Sequence, residues 1–427
     1  MAAARRTRRR RGDRPPARPG DGGGPRPRRG HRLPRGPRRP RRGRAADRGG
    51  RAVIPTWAPQ THHATLIRTV AAHGLAGSLL HFPDEPLGAG EFDQLLHDAR
   101  SQRLTGLLWA AVQSGMLPVT DEQVERTEWL HVETLAGVLS LERFMLDTVG
   151  ELDRAGIPVR ALKGPVLAHL DYPEPAWRTF GDVDLLVQGD DFDRATEVII
   201  ARGHRRRHPE PRPGFDRRFS KGTSFLTEDG LELDLHRTFT MGPLGVRLRL
   251  DELWARSEAF RMGGRQLQAL PAEERFVHAC YHAVLGEATP RLVPLRDIAQ
   301  LALTRSLDLE RVHHLIRTSG GEAVVSRAVR HAWHELRIAD VLSLSAWAEA
   351  YRTDPRQAAE LAVYGSHSSY ARKSVASIRA LPTWHDRASF VHALVLPDRS
   401  YLGTRHSGHL GRLRTGLAQT RNRRRAT

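Results

Sequence analysis

Apolar positions along the chain follow two periodicities, and the change from one to the other marks out its parts. Between residues 63 and 155 they recur at helical spacing, as Phe92, Leu95, Leu96 and Ala99, then Leu107, Leu108, Ala111 and Val112. A longer run follows Asp121, which can cap it. It carries Val124, Trp129, Leu130, Leu135, Val138, Leu139, Leu141, Phe144, Met145 and Val149 up to a stop at Gly156-Ile157-Pro158. From 157 to 240 the period shortens. Residues 159–162 predict a strand that delivers Lys163-Gly164, and Pro165 then opens a short helix over 165–170, its fixed φ and missing donor suiting the first helical position. Gly181-Asp182-Val183-Asp184-Leu185-Leu186-Val187 predicts a second strand. Asp190 or Asp191 caps a helix with Phe192, Ala195, Val198 and Ile199 on one face, and residues 223–226 and 231–235 predict a hairpin turning at Glu228-Asp229-Gly230. Beyond 245 the helical period returns, in Phe276, Val277, Cys280, Tyr281 and Val284, in 295–303, and in shorter segments as far as about 380. The pattern predicts an α+β protein: a small mixed sheet over 157–240 flanked by helical blocks over 53–156 and 241–404.

Both ends lack such a pattern. Residues 1–52 hold 20 arginines, three aspartates and almost no large apolar side chain, so they cannot bury enough surface to offset chain entropy and are expected to be disordered. Residues 405–427 carry seven arginines and no acid and are expected to be a flexible basic tail. These tails account for the formal charge of +19, because the body from 53 to 404 carries a net −5. Weak nucleic-acid contact through phosphate neutralisation is therefore a property the tails alone can supply. Composition by itself identifies no partner, and a plain non-structured extension is the favoured reading.

A single cysteine, Cys280, excludes an intrachain disulfide and a cysteine zinc cluster, which agrees with a reducing cytoplasm. No apolar run approaches the ~20 residues that cross a bilayer, and the basic N-terminus lacks the apolar stretch of an export signal, so no membrane association is expected. Against 64 arginines stand only three lysines, at 163, 221 and 373. Lys163, in the turn after the first strand, is conspicuous for that reason.

The chemistry concentrates around that turn. Asp182 and Asp184, two apart on a strand behind Gly181, point to one face, with the alternate apolar positions buried and the pair at the exposed end of the sheet. A later strand supplies Asp234 between Leu233 and Leu235. Three converging carboxylates suit a hard, oxygen-preferring ion, Mg²⁺ or Mn²⁺. An ordinary solvated strand edge is the competing reading, but it needs neither the preceding glycine nor the third aspartate. His236, on the same face as Asp234, can orient that carboxylate or simply pack. Lys163 and Arg178 are candidate phosphate ligands, one a point charge and the other a planar fork. His278 and His282 have zinc-ligand spacing, but HACYH lacks the glutamate of the HExxH motif and no third ligand stands nearby, so they are read as structural. P-loop and dinucleotide-binding fingerprints are missing.

The order LKG, then Arg178-Thr179-Phe180-Gly181-Asp182-Val183-Asp184-Leu185-Leu186-Val187, then LELDLH resembles the nucleotidyltransferase superfamily that shares the DNA polymerase beta palm. More narrowly it is similar to the uncharacterised bacterial nucleotidyltransferase family, over about residues 60 to 310 and including PLRDIAQLA at 294–302. The resemblance implies a palm in which Asp182, Asp184 and Asp234 hold metal and do catalysis, with Lys163, Gly164, Arg178, Gly181 and His236 around the nucleotide. It implies transfer of a nucleoside monophosphate from a nucleoside triphosphate to an acceptor hydroxyl on a small molecule, an RNA or a protein. One departure stands out: where the superfamily has Gly-Ser, whose serine holds a phosphate, this chain has Lys163-Gly164-Pro165. Two rival readings are a nucleotide-binding regulator or scaffold without turnover, and a nucleic-acid-binding protein driven by its tails. The intact carboxylates weigh against the first and the acidic body against the second. Deleting residues 1–52 is expected to leave the melting temperature unchanged, since the segment brings no apolar side chains to a core. A scanning-calorimetry drop of several degrees would show that the arm docks.

Overall fold

Seven strands form one mixed sheet in the computed structural model, which describes residues 62–286, 291–339, 341–365, 370–399 and 401. The predicted tails over 1–52 and 405–427 lie outside the described residues. In chain order the strands are β1 (Arg160–Leu162), β2 (Val183–Leu186), β3 (Arg205–Arg206), β4 (Gly222–Leu226), β5 (Glu232–His236), β6 (Glu258–Met262) and β7 (Arg265–Ala269). Their order across the sheet is β3-β4-β5-β2-β1-β7-β6. β2 runs parallel to β5 and β1 parallel to β7, while the other neighbours are antiparallel. Register matters here because a slip of one residue sends every side chain to the other face. The observed register sets Asp184 beside Asp234, Asp184 beside Leu162, and Asp234 beside Ser224.

The predicted hairpin is β4 and β5, with Gly230 at φ +83° in its turn. β6 and β7 occupy a stretch expected to be helical. Their turn is Gly263-Gly264, both at positive φ, and Phe260, Met262, Leu267 and Ala269 alternate inward. The sheet therefore runs past residue 240 and borrows its last two strands from the C-terminal region. The long helix Asp121–Arg154 is capped by Thr120 rather than Asp121: the Thr120 hydroxyl accepts from the Gln123 amide at 3.3 Å, and the Gln123 side chain returns the bond at 3.2 Å. Trp129 and Leu139 fall off its buried stripe and are 66% and 55% exposed.

Among the described residues a small apolar cluster joins Phe215 and Phe219 to Leu381, Phe390 and Ala393, and two large cores result besides. One lies against the sheet, where Val138, Met145 and Val149 of the long helix and Phe192 and Ile199 of helix Phe192–Ala201 meet Val183, Leu185, Phe225 and Leu233. The other joins N-terminal residues such as Ile67, Phe92, Leu95 and Leu108 to C-terminal ones such as Phe276, Tyr281, Ile298, Val325 and Leu336. Parts of both helical blocks expected from the sequence thus share one core while the long helix packs on the sheet, and the described residues fall within one compact unit, Ile54–Thr427.

Buried ion pairs fasten the sheet side to that second core. The Arg178 fork donates to both oxygens of Asp297 on helix Leu292–Thr304, at 2.8 and 2.9 Å, and the Tyr172 hydroxyl donates to the same carboxylate at 2.8 Å. Asp171 takes two bonds from Arg275, at 2.9 and 2.8 Å, and one from Arg305 at 2.9 Å. Removing one partner of such a pair strands a charge in the interior, so Asp297→Asn is expected to cost about 3–5 kcal/mol in urea unfolding. The double variant Arg178→Met/Asp297→Leu, which strands no charge and leaves only the Tyr172 hydroxyl without its acceptor, is expected to lose less.

Candidate functional site

β1 ends at Leu162, and the chain turns through Lys163 at φ +47°, a conformation uncommon for a residue with a Cβ. Its carbonyl accepts from the Leu167 amide at 2.8 Å and starts helix Gly164–Leu170, which places Pro165 at the second helical position. Gly164 is required there. A Cβ on it would lie 2.7 Å from Phe180, the residue that leads into the aspartate pair.

The turn aims the Lys163 ammonium at Asp184, with Nζ 2.5 Å from Oδ1. His236 Nε2 lies 2.5 Å from the same oxygen. Asp184 is only 2% exposed, so the expected carboxylate at the open end of the sheet is instead a buried one. Burial opposes its charge, yet Lys163 and the His236 hydrogen bond outweigh that and hold the carboxyl well below the usual carboxylate range. Asp234 is more open. Its Oδ1 accepts from the Ser224 hydroxyl at 2.5 Å, and its Oδ2 lies 3.9 Å from His236 Nε2. One ligand atom each from Asp184, Asp234 and His236 falls within 4.8 Å of the others.

Asp182 lies outside that trio but shares a cleft with Asp184, Lys163, Gly164 and Arg178, as two residues on one strand face should. Its Oδ1 meets Arg103 Nη1 at 3.3 Å, and a Cβ on Gly181 would lie 2.8 Å from Arg103 Nη2. Gly181 therefore makes room for an arginine over Asp182. Arg178 reaches the cleft wall but does not offer its fork there, because Nε and Nη2 are bound to Asp297 and Nη1 donates to the Thr179 carbonyl.

Three further residues join the site without having been singled out, and His282, read from the sequence as structural, joins them there. Ser224 was within reach of the sequence, since the hairpin count places it opposite Asp234. Arg103 and Gln102, from the end of a helix about 80 residues upstream of the aspartates, carry no local signal. His282 opens a π turn, His282–Gly286, and lines the cleft. Its neighbour His278 stacks on Phe239, with ring centroids 4.4 Å apart, as a structural histidine.

Burial first, and Lys163 next, push His278 and His282 well below the ordinary imidazole range, so both are neutral in the folded protein. Each takes up a proton on unfolding below about pH 6.5, so stability is complete above that value and falls on acidification by up to ~1.4 kcal/mol per pH unit per histidine. Urea titrations between pH 7 and 5 are expected to show that slope, and His278→Gln is expected to flatten it.

The family described as uncharacterised nucleotidyltransferase matches residues 89–337, a span that contains every carboxylate and cation of the cleft named above. Among solved structures, the chain is similar to the antibiotic-resistance factor ANT(2'')-Ia. Its solution structure is 18% identical, with 46% of this chain and 98% of that one covered at a TM-score of 0.30. The crystal structure of ANT(2'')-Ia in complex with adenylyl-2''-tobramycin is 14% identical, with the same coverage and a TM-score of 0.26. An antigenic nucleotidyltransferase-like protein from Paracoccidioides brasiliensis is 13% identical, with 48% of this chain and 94% of that one covered and a TM-score of 0.28. A search of curated proteins gave no match. Since the family match takes in more than half of the chain, and with it the strands that bring Asp184 to Asp234, this protein belongs to the uncharacterised nucleotidyltransferase family.

Proposed function

We propose that the protein transfers a nucleoside monophosphate from a nucleoside triphosphate to an acceptor hydroxyl and releases pyrophosphate, using a divalent cation, Mg²⁺ or Mn²⁺. The observation that carries this reading is the meeting of Asp184, Asp234 and His236 ligand atoms within 4.8 Å, beside a cleft lined by Lys163 and Asp182. The donor set fits such an ion. Asp184 Oδ2 has no hydrogen-bond partner among the described residues, Asp234 Oδ2 has none closer than His236 at 3.9 Å, and carboxylate oxygens suit a hard cation. Asp184 and Asp234 would hold it, with His236 or Asp182 completing the set. The ion would neutralise triphosphate charge and place the phosphoryl group for in-line attack.

The chain's own side chains divide the remaining work. Lys163 keeps Asp184 ionised, and His236 fixes its orientation. Ser224 holds the Asp234 carboxylate in place on the more open side of the sheet, where it receives the proton of the acceptor hydroxyl. As that oxygen bonds to the α-phosphorus, the bond to pyrophosphate breaks, and the departing charge meets the cations of the cleft. Gly164 and Gly181 allow the close approaches that set Phe180 and Arg103. Arg178 acts at one remove, by tying the loop ahead of β2 to Asp297. The acceptor is a small molecule, an RNA end or a protein side chain. The free thiol of buried Cys280 goes with a cytoplasmic setting, and no helix among the described residues is long and apolar enough to cross a membrane.

Asp184→Asn makes a poor test, because it strands the buried Lys163. Asp234→Asn is cleaner, since that side chain is 25% exposed and bonded only to Ser224. It is expected to keep the melting temperature while lowering transfer of label from an α-³²P nucleoside triphosphate to host-lysate acceptors by about 100-fold or more. Calorimetric Mg²⁺ or Mn²⁺ binding should weaken alongside. Full transfer by this variant, or equal transfer in EDTA, would sink the reading.

A further inference from the structure

A triphosphate needs cations, and both residues nominated from the sequence are already engaged, Lys163 by Asp184 and Arg178 by Asp297. Lys221 is not. It precedes β4, and its carbonyl accepts from the Arg237 amide at 2.8 Å and the Thr238 amide at 3.3 Å, which pins it against the end of β5 next to His236. The following residue, Gly222, pairs with His236, and a Cβ there would lie 2.1 Å from the Leu235 carbonyl oxygen. Only glycine lets β4 close so tightly on β5 at that point. The Lys163-Gly164 turn repeats the device on the other side, with its own glycine pressed against Phe180. Across the sheet β1 and β4 flank β2 and β5, so a Lys-Gly pair borders each side of the two strands that carry Asp184 and Asp234.

These are two of the chain's three lysines, in a protein that otherwise uses 64 arginines for positive charge. A lysine ammonium is a compact point charge that reaches a phosphate from a crowded strand end, where a guanidinium plane would need more room. The Lys221 ammonium makes no hydrogen bond or ion pair with any described residue. Burial, then the nearby Lys163, bring it down to about 8 against the pull of Asp184, Asp234 and Asp182, so it sits charged within reach of the same field. A poorly solvated cation without a counter-ion is costly, and an arriving polyphosphate would relieve that cost.

We propose that Lys221 binds the polyphosphate of the incoming nucleoside triphosphate, while Lys163 serves as the resident counter-charge of Asp184. This assignment rests on the nucleotidyl-transfer reading, and it answers the missing Gly-Ser turn by moving the phosphate contact from the first strand to the fourth.

The test is calorimetric titration of full-length protein with Mg²⁺ and two probes, a non-hydrolysable nucleoside triphosphate and inorganic tripolyphosphate. Lys221→Met is expected to weaken both by about 10- to 100-fold, the loss of one charge-assisted contact, and Lys221→Arg to recover part of it. A second measurement needs no variant. With only three lysines, acetylation by acetic anhydride can be read at each by peptide mass spectrometry, and the triphosphate analogue is expected to protect Lys221 while leaving Lys373 unchanged. The proposal is overturned if Lys221→Met binds both probes as wild type does, or if Lys221 is acetylated equally, or not at all, with and without the analogue. Wild type that binds neither probe overturns both this assignment and the nucleotidyl-transfer reading, whereas binding that ignores Lys221 overturns this assignment alone.

Discussion

Everything near the cleft depends on keeping one carboxylate charged inside the protein. Asp184 is almost wholly buried, and a lone carboxylate in that position would take up a proton rather than remain an anion. Lys163 and His236 prevent this, and each demands something of the backbone. Lys163 reaches Asp184 only because the chain after β1 accepts a positive φ and because Gly164 has no side chain to collide with Phe180. His236 reaches it only because β5 lies parallel to β2 in a register that pairs Asp184 with Asp234. Local strain and long-range pairing are thus fixed by the same charge.

The buried salt bridges outside the cleft work differently. Asp171 takes Arg275 and Arg305 from the helical core, and Asp297, on a helix of that core, takes Arg178 and Tyr172 from the segment that leads into β2. Buried ion pairs contribute little net stability relative to apolar packing, but a mismatched one is heavily penalised. Their value here is positional: the segment ahead of β2 can take only the arrangement in which Arg178 meets Asp297, and this sets where Asp182 and Asp184 emerge.

Much of this was legible in the sequence, and the reasons are physical. The two-residue alternation around Asp182 and Asp184 and the Gly230 turn predicted β2, β4 and β5, because strands with one buried face must alternate. The 3.6-residue pattern found the long helix, though Trp129 and Leu139 misled by being apolar without being buried. The β6–β7 hairpin was missed because each of its strands carries only two inward apolar side chains between helical neighbours, even though Gly263-Gly264 marked its turn. At the site, the three aspartates and His236 were visible from spacing. The Arg178–Asp297 pair was not, since it joins residues 119 apart and nothing local records such a partnership. Arg103 escaped for the same reason.

The shared helical core has a consequence for how the chain is made. Its N-terminal residues, such as Ile67 and Phe92, pack against partners as late as Leu336, and β1 gains its second neighbour only when β7 has emerged. Contacts that span so much sequence are slow to close, and an uncovered strand edge invites pairing with other chains. While the ribosome is still working, then, the stretch from residue 62 to the end of β1 is a set of apolar-faced helices and an open edge without its later partners. This topology favours late, concerted closure of the core over early autonomous folding of its N-terminal helices.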